Sequence, residues 1–434
     1  MRPAAHLDAA IEILTALERG TRGTDRVLHD DLIRRRYAGS GDRRTIADLV
    51  YACLRRRAGL GWALARLGAT VTPRLEAFAG WMARAGVGPS GLGDLIAAGG
   101  AHAPPPPTAD EARLLAALDE AAAQGSAAQA EPDWVRAGVP AWTMPLFARR
   151  FGAQAEAEAR ALNEPAALDL RVNPLRAKGA NPEQARALAM GRLAEDGIAC
   201  TPLPASTLGL RVATPRAITR CRAYRDGLVE IQDEGSQLVA AAVGAEPGAT
   251  VIDYCAGAGG KTLALAALMA NRGRLIACDT DTEKLERLKA RAARAGARIE
   301  TRPLDGPDAM LPFIAAADRV LVDAPCSGSG AWRRDPAARW RLTPEGLDNF
   351  TALQDRVLRE AARLVSPGGT LVYATCSLFR EENEDRIEAF LQGAPRFKIV
   401  SCAGPCGGGE PFLVTTPLRH GCDGFFAAAL QAAP

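Results

Sequence analysis

The chain has 434 residues, of which 48% are hydrophobic and 24% charged, with a formal net charge of +3. That length predicts about two to four domains with sizeable cores, and so small a charge does not by itself indicate a nucleic-acid partner. No run of 18 or more apolar residues occurs and no charged-then-apolar leader opens the chain, so the expectation is a cytoplasmic protein without membrane spans. The ten cysteines lack framework spacing and read as free thiols.

Residues 5–85 show apolar positions at helical spacing, as in Leu7-Ala10-Ile11-Leu14-Leu17 and Ile46-Leu49-Val50-Cys53-Leu54. Residues 1–85 carry fifteen Arg and no Lys against nine acids, including Arg34-Arg35-Arg36, Arg43-Arg44 and Arg55-Arg56-Arg57. Such clusters suit an RNA backbone, although the whole chain favours Arg over Lys and charged runs are often solvated helix faces. Pro104-Pro105-Pro106-Pro107 forms a stiff linker, Glu111 to Ala123 another helix, and residues 124–131 a small, polar boundary. Trp134 to Leu162 reads as helical with interruptions at Pro140 and Pro145.

The period changes after Pro165. Leu168 to Asn173 reads as a strand, Pro182 to Glu195 as a helix, and Ile198 to Pro202 and Leu208 to Val212 as further strands. From Gly227 onward strands and helices alternate, as in a doubly wound parallel sheet. The expected organisation is therefore a helical domain over residues 1–130, linker helices with a small α+β substrate-binding unit over 131–226, and an α/β domain over 227–434.

The strand Thr250-Val251-Ile252-Asp253 runs into the turn Cys255-Ala256-Gly257-Ala258-Gly259-Gly260-Lys261-Thr262. Asp279 closes a second strand about 20 residues later, where an acid accepts hydrogen bonds from ribose hydroxyls. Asp305 follows a third strand, Arg298 to Thr301, and Asp323 ends a fourth. The turn lacks the Gly that a P-loop requires at position 255 and the Gly that a dinucleotide fingerprint requires at position 262, which leaves S-adenosylmethionine as the expected cofactor. Cys326 and Cys376 each follow a buried strand, Val320-Leu321-Val322 and Thr370-Leu371-Val372-Tyr373, and should emerge on one rim of the sheet. A nucleotide-like cofactor beside two thiols points to cysteine-dependent methyl transfer to a base.

These motifs resemble the bacterial RsmB-like (Sun/Fmu-type) RNA cytosine-5 methyltransferases. The resemblance rests on Val229-Glu230-Ile231-Gln232-Asp233-Glu234-Gly235-Ser236-Gln237-Leu238, on Asp253-Tyr254-Cys255-Ala256 with Gly259-Gly260-Lys261-Thr262, and on Asp323-Ala324-Pro325-Cys326-Ser327-Gly328-Ser329-Gly330 with Arg333-Arg334-Asp335-Pro336. It continues in Thr375-Cys376-Ser377, Glu382-Asn383-Glu384 and Asp423-Gly424-Phe425-Phe426, and covers residues 130–434. Asp42-Arg43-Arg44 with Asp48-Leu49-Val50-Tyr51 resembles the family's NusB-like helical domain. The implied fold is a Rossmann-like class I methyltransferase domain preceded by an RRM/ferredoxin-like unit and an all-α domain. In the family the cofactor turn reads Ala-Pro where Gly257-Ala258 stands here, which implies the same site on a less rigid turn.

The resemblance implies that Cys376 is the nucleophile, that Cys326 assists product release, that Asp323 contacts the cytosine ring nitrogen and amine, and that Lys261 sits near the base. Cofactor binding is expected from Cys255 through Lys261, Asp279, Asp305 and Asp323. The expected partner is RNA, small-subunit ribosomal RNA first and tRNA as the alternative, and the expected state is a monomer. Arg171, Asn173, Arg43 and Arg44 are the candidate RNA contacts. A non-catalytic ribosome-assembly factor could lose both cysteines, and a DNA cytosine-5 enzyme would not need Thr375-Cys376-Ser377. Cys402, Cys406, His420 and Cys422 are zinc-type ligands, but their spacing is unlike structural zinc motifs and no metal is expected.

Overall fold

The computed structural model describes residues 1–20, 22–123, 131–177, 181–214, 217–306, 308–402 and 411–434. It divides into two compact units, residues 1–164 with 332–344, and residues 165–331 with 345–434. The packing thus differs from the expected boundaries. The helices Asp133–Ala137, Met144–Phe151 and Ala155–Ala161 cluster with the N-terminal helices, not with the small α+β unit.

The first unit is helical throughout its described residues. Ser40–Arg66 buries the stripe Ile46, Leu49, Val50, Cys53 and Leu54 against Leu7, Ile13 and Leu14 of Pro3–Arg19. That spacing is the one a one-sided helix presents to a core. Pro73–Ala85 starts where Thr72 accepts a hydrogen bond from the Leu75 amide and Pro73 occupies the first turn. A further helix, Pro89–Gly99, was not expected, because its three interior or terminal glycines mask the apolar stripe of Leu92 and Ile96. Part of the distal sequence also belongs to this unit. Asp335 accepts from the Thr24 amide, Trp340 donates its ring N–H to the Leu54 carbonyl at 3.0 Å, and fully buried Arg339 donates to the Gly138 and Leu162 carbonyls. The segment from Asp335 to Trp340 is therefore a fastening element of the helical unit.

The second unit contains two sheets. The smaller one joins β1 (Asp169–Val172), β2 (Cys200–Pro202), β3 (Gly209–Val212) and β4 (Val229–Ile231) in the order β2-β3-β1-β4, all antiparallel. With helices Pro182–Glu195 and Arg222–Arg225 this is the β-α-β-β-α-β ferredoxin-like arrangement. The sheet closes with β4, beyond the expected boundary at 226, because Leu170 and Val229 share one apolar cluster with Leu193 and Leu210.

The larger sheet contains β5 (Thr250–Asp253), β6 (Arg274–Asp279), β7 (Glu300–Pro303), β8 (Ala317–Asp323), β9 (Val365–Thr375), β10 (Phe397–Val400), β11 (Phe412–Thr415) and β12 (Phe425–Ala432). Its order is β10-β12-β9-β8-β5-β6-β7, with β11 also paired to β12. Strands β5 to β9 run parallel and β12 runs antiparallel to β9. The strands alternate between two apolar clusters. Ile252, Ile276, Val320, Val322, Leu371 and Tyr373 face one side, while Val251, Leu275, Leu321, Val372 and Ala374 face the other. Burial of both faces is what a parallel sheet covered by helices requires. Strand β5 pairs with β6 on one side and β8 on the other. The strand order reverses there, so a crevice opens beyond the carboxyl ends of β5 and β8. Among the described residues, no helix is long and apolar enough to cross a membrane.

Candidate active site

Beyond β5 the chain turns through Gly257 at φ +54° and Gly259 at φ +85° into the helix Gly260–Leu268. Only glycine fits at 259, because a Cβ there would lie 1.9 Å from Cδ1 of Leu288. Asp279, at the end of β6, accepts the Gly257 amide through Oδ2 and the Asp281 amide through Oδ1, each at 2.8 Å. Its carboxylate is thereby aimed at the crest of the turn. Cys255, Gly257, Asp279, Asp305 and Asp323 line a cleft of about 980 Å³ together with Leu304, Met310 and Pro325. Carboxylates for hydroxyl groups, beside apolar walls for a flat base, are the donor set a nucleoside needs, and S-adenosylmethionine fits it.

Other members of the turn act from beneath. Ala256 packs with Leu263 and Leu288, the Ala258 carbonyl accepts from Arg291 at 2.6 Å, and Gly260 starts the helix. Asp253 is fully buried under the turn. It accepts the Thr262 hydroxyl at 2.7 Å through Oδ2, while Oδ1 has no partner. Burial pushes this carboxyl up to about 7, against the opposing pull of the Thr262 hydrogen bond.

The two thiols meet. Cys326 follows β8, Cys376 follows β9, and their Sγ atoms lie 3.4 Å apart with both residues partly exposed. The hydrogen bond to Cys376, together with burial, holds the Cys326 thiol well above the ordinary range. Lys261 donates to Asp323 Oδ2 at 2.7 Å and lies 5.0 Å from the centre of the Phe425 ring. Burial disfavours its charge, but attraction and a hydrogen bond from Asp323, with Cys376 and Asp253 adding to the attraction, outweigh it and raise its pKa. The site therefore holds an ammonium close to the thiols and the Asp323 carboxylate.

What fixes the thiols in place has no counterpart among the expected site residues. The fully buried Glu382 carboxylate accepts the Ser327 amide at 2.8 Å, the hydroxyls of Ser327 and Ser377, and the Gln354 amide at 3.0 Å. One side chain thus grips the residue after each cysteine. Desolvation raises its pKa despite those donors. Asn383 extends the grip, accepting the Thr375 hydroxyl and donating to the Ser377 carbonyl at 2.9 Å. Gly330 completes it, donating to the Cys376 carbonyl at 2.9 Å where a Cβ would lie 2.1 Å from the Gly424 carbonyl oxygen. The available signal was the repeated Cys-Ser dipeptide, Cys326-Ser327 and Cys376-Ser377, with Glu382 a short distance beyond the second.

The expected RNA contacts Arg171 and Asn173 are a correction. Arg171 is 3% and Asn173 1% exposed, too little for a phosphate to reach them. Arg171 donates to Gln232 at 2.6 Å, and Asn173 donates to the Gly227 and Ala295 carbonyls at 2.8 Å each, so both tie β1 to its surroundings in the second unit. In the first unit Arg44 is exposed, whereas the Arg43 Nε is occupied by the Ala38 carbonyl at 3.0 Å. Of the zinc-type residues, Cys406 lies outside the described residues, Cys402 and Cys422 are buried, and His420 Nδ1 accepts the Thr416 amide. Among the described residues no group of three or more His, Cys, Asp or Glu is placed to hold a metal ion.

Residues 240–431 match the family described as 16S rRNA methyltransferase RsmB/F, and residues 139–219 match the family described as Methyltr_RsmF/B-like, ferredoxin-like domain. The "Ribosomal RNA small subunit methyltransferase B" of Xanthomonas campestris pv. campestris is 31% identical over 417 residues, covering 90% of this chain and 89% of that protein. The "Probable ribosomal RNA small subunit methyltransferase B" of Synechocystis sp. is 35% identical over 305 residues, covering 68% and 67%. The crystal structure of a protein named PH0851 superposes with a TM-score of 0.75 at 28% identity, covering 99% of this chain and 98% of that one. With the glycine turn, the acid-lined cleft and the ferredoxin-like sheet in place, the chain belongs to the RsmB/F family of S-adenosylmethionine-dependent 16S rRNA methyltransferases.

Proposed function

We propose that the protein methylates carbon 5 of a cytosine in small-subunit ribosomal RNA, with Cys376 as nucleophile and Cys326 as the thiol that assists release. The observation that carries this reading is the pair of sulfurs 3.4 Å apart beside the Lys261–Asp323 ion pair. Carbon 5 of cytosine is a poor nucleophile, and a thiolate added at carbon 6 turns the ring into an enamine. Lys261, held charged at this site, is the cation available to the sulfur that attacks the base. Asp323 is assigned to the ring nitrogen and exocyclic amine of the base, where a proton shared between its carboxyl and the ring nitrogen balances the charge that the adding thiolate brings. Asp279, Asp305 and the glycine turn would hold S-adenosylmethionine, which when bound would supply an electrophilic methyl group to carbon 5 and leave as S-adenosylhomocysteine. Water then takes the carbon-5 proton, the C5–H electron pair restores the carbon 5–carbon 6 double bond as the carbon 6–sulfur bond breaks, and Cys326, kept as a neutral thiol 3.4 Å away, hydrogen-bonds to the departing Cys376 thiolate.

The substrate class follows the relatives' names, which specify small-subunit ribosomal RNA. Arg44, with the outer nitrogens of Arg43, supplies phosphate contacts that position the RNA without reading its sequence. The target cytosine must leave its stack to reach Cys376, which favours a loop or bulge.

Cys326→Ala provides the test. Incubated with substrate RNA and cofactor, it should accumulate a covalent protein–RNA adduct, seen as a shifted band on a denaturing gel. An inactive variant that never forms the adduct would contradict the division of labour between the thiols.

A further inference from the structure

Three arginines of the second unit converge on one buried carboxylate, and one of them reaches the cofactor turn. Glu230, on β4, is 1% exposed and accepts from Arg291 at 3.0 Å through Oε2 and from Arg294 at 2.6 Å through Oε1. Arg171, its register partner on β1, is drawn to the same carboxylate. Arg291 and Arg294 are neighbours on the helix Thr282–Ala295, yet their remaining donors go different ways. Arg294 Nη1 donates to the Tyr224 carbonyl at 2.7 Å, whereas Arg291 Nη1 donates to the Ala258 carbonyl at 2.6 Å. That carbonyl belongs to the peptide between Ala258 and Gly259. Gly257 at φ +54° and Gly259 at φ +85° flank Ala258, so the backbone there has the freedom to turn that peptide plane over. A charge-assisted hydrogen bond to the carbonyl holds one orientation. A free arginine would give up rotamer freedom to make this bond, but Glu230 has already fixed the guanidinium of Arg291.

We propose that Arg291 is a positioning residue for S-adenosylmethionine binding: anchored by Glu230 of the ferredoxin-like sheet, it holds the Ala258–Gly259 peptide of the cofactor turn in the orientation that the cofactor meets. Arg291 acts through the turn, not by touching the cofactor. Glu230 acts one step further back, through Arg291. Cofactor affinity is thus set in part by a side chain of the smaller sheet, and a change on β4 is felt at the turn. The proposal depends neither on which base is methylated nor on the roles of the two cysteines.

The test compares Arg291→Met with Arg294→Met in the full-length protein. Both remove a guanidinium from Glu230, and only the first releases the turn. The readouts are the dissociation constant for S-adenosylmethionine by calorimetry and, without cofactor, hydrogen exchange of the backbone amides of residues 256–262. Arg291→Met should raise the dissociation constant about tenfold, as the loss of one charge-assisted hydrogen bond implies, and speed exchange in the turn by a similar factor. Arg294→Met should leave both within about twofold of wild type, although urea midpoints fall in the two variants alike. Arg291→Lys keeps a cation for Glu230, so it protects the fold and should give a smaller loss of the same sign. Glu230→Gln should weaken cofactor binding by about fivefold on its own and not at all when added to Arg291→Met, because it acts through that residue. Wild-type cofactor affinity in Arg291→Met, equal losses in the two methionine variants, or an effect of Glu230→Gln that survives Arg291→Met would overturn the proposal.

Discussion

The two halves of the sheet rim use the same side-chain type in opposite ways. In the cofactor half, Asp279, Asp305 and Asp323 line an open cleft, with oxygen lone pairs left for a ligand. In the cysteine half, Glu382 is fully buried and its oxygens are engaged by Ser327, Ser377 and Gln354. An acid that faces a cleft can bind a ligand even while it shapes its own turn, as Asp279 does through the Gly257 and Asp281 amides, whereas an acid enclosed by the protein can only hold geometry. Charge for ligand recognition and charge for positioning are thus separated within one rim, and each half can be damaged without the other.

The largest separation is expected from Glu382→Ala. Releasing both Cys-Ser segments should lower kcat by about 100-fold or more, since an ångström of misplacement in a reacting group costs that much. The dissociation constant for S-adenosylmethionine should stay unchanged. Glu382→Gln, which keeps the shape and one acceptor, should recover part of the rate. If Glu382→Ala instead weakened cofactor binding and left single-turnover chemistry intact, the two halves would not be separate. Asp279→Ala is the converse, removing charge-assisted hydrogen bonds worth about 1.5–3 kcal/mol. Cofactor affinity should fall by about 10- to 100-fold while the rate at which iodoacetamide alkylates Cys376 is unaltered.

Asp253, beneath the cofactor turn, gives a smaller, pH-dependent effect. Its folded pKa of about 7 lies above the ordinary carboxyl value, so the fold prefers its neutral form. The stability that preference contributes is fully present below about pH 4 and is lost as pH rises through about 7. Asp253→Asn keeps the neutral shape. Urea midpoints should show the variant gaining on the wild type between about pH 4 and 8, and a constant difference would mean that Asp253 does not titrate there. The smallest effect is expected in the helical unit. Arg44→Ala should flatten the logarithmic salt dependence of RNA binding by about one unit, as the loss of one phosphate contact requires, without changing cofactor affinity.

Much of the rim was legible because its parts are contiguous. The strand Thr250–Asp253 and the helix Pro182–Glu195 have the bounds that alternation and capping imply, and the turn, Asp279 and the two cysteines follow from spacing along the chain. What escaped depends on contacts between distant segments. Glu382 meets Ser327 across 55 positions, so although Glu382-Asn383-Glu384 stands among the motifs of the resemblance, nothing local to it shows that it grips the cysteine segments. Arg171 and Asn173 looked like exposed strand residues, yet neighbouring elements cover both faces of β1, and four-residue strands leave alternation too short to show it. The helix Pro336–Arg341 reads as part of the methyltransferase domain in sequence but packs in the helical unit, because Arg339 and Trp340 find their acceptors there. The third strand, expected from Arg298, begins at Glu300.

The proposed mechanism requires Cys376 to supply the bond to the base while the cofactor is held elsewhere. Cys376→Ala should be assayed for transfer of a radiolabelled methyl group to small-subunit ribosomal RNA, beside calorimetric binding of S-adenosylmethionine. The prediction is no detectable 5-methylcytosine with wild-type cofactor affinity. Turnover at the wild-type rate in that variant would contradict it and move the nucleophile to another residue.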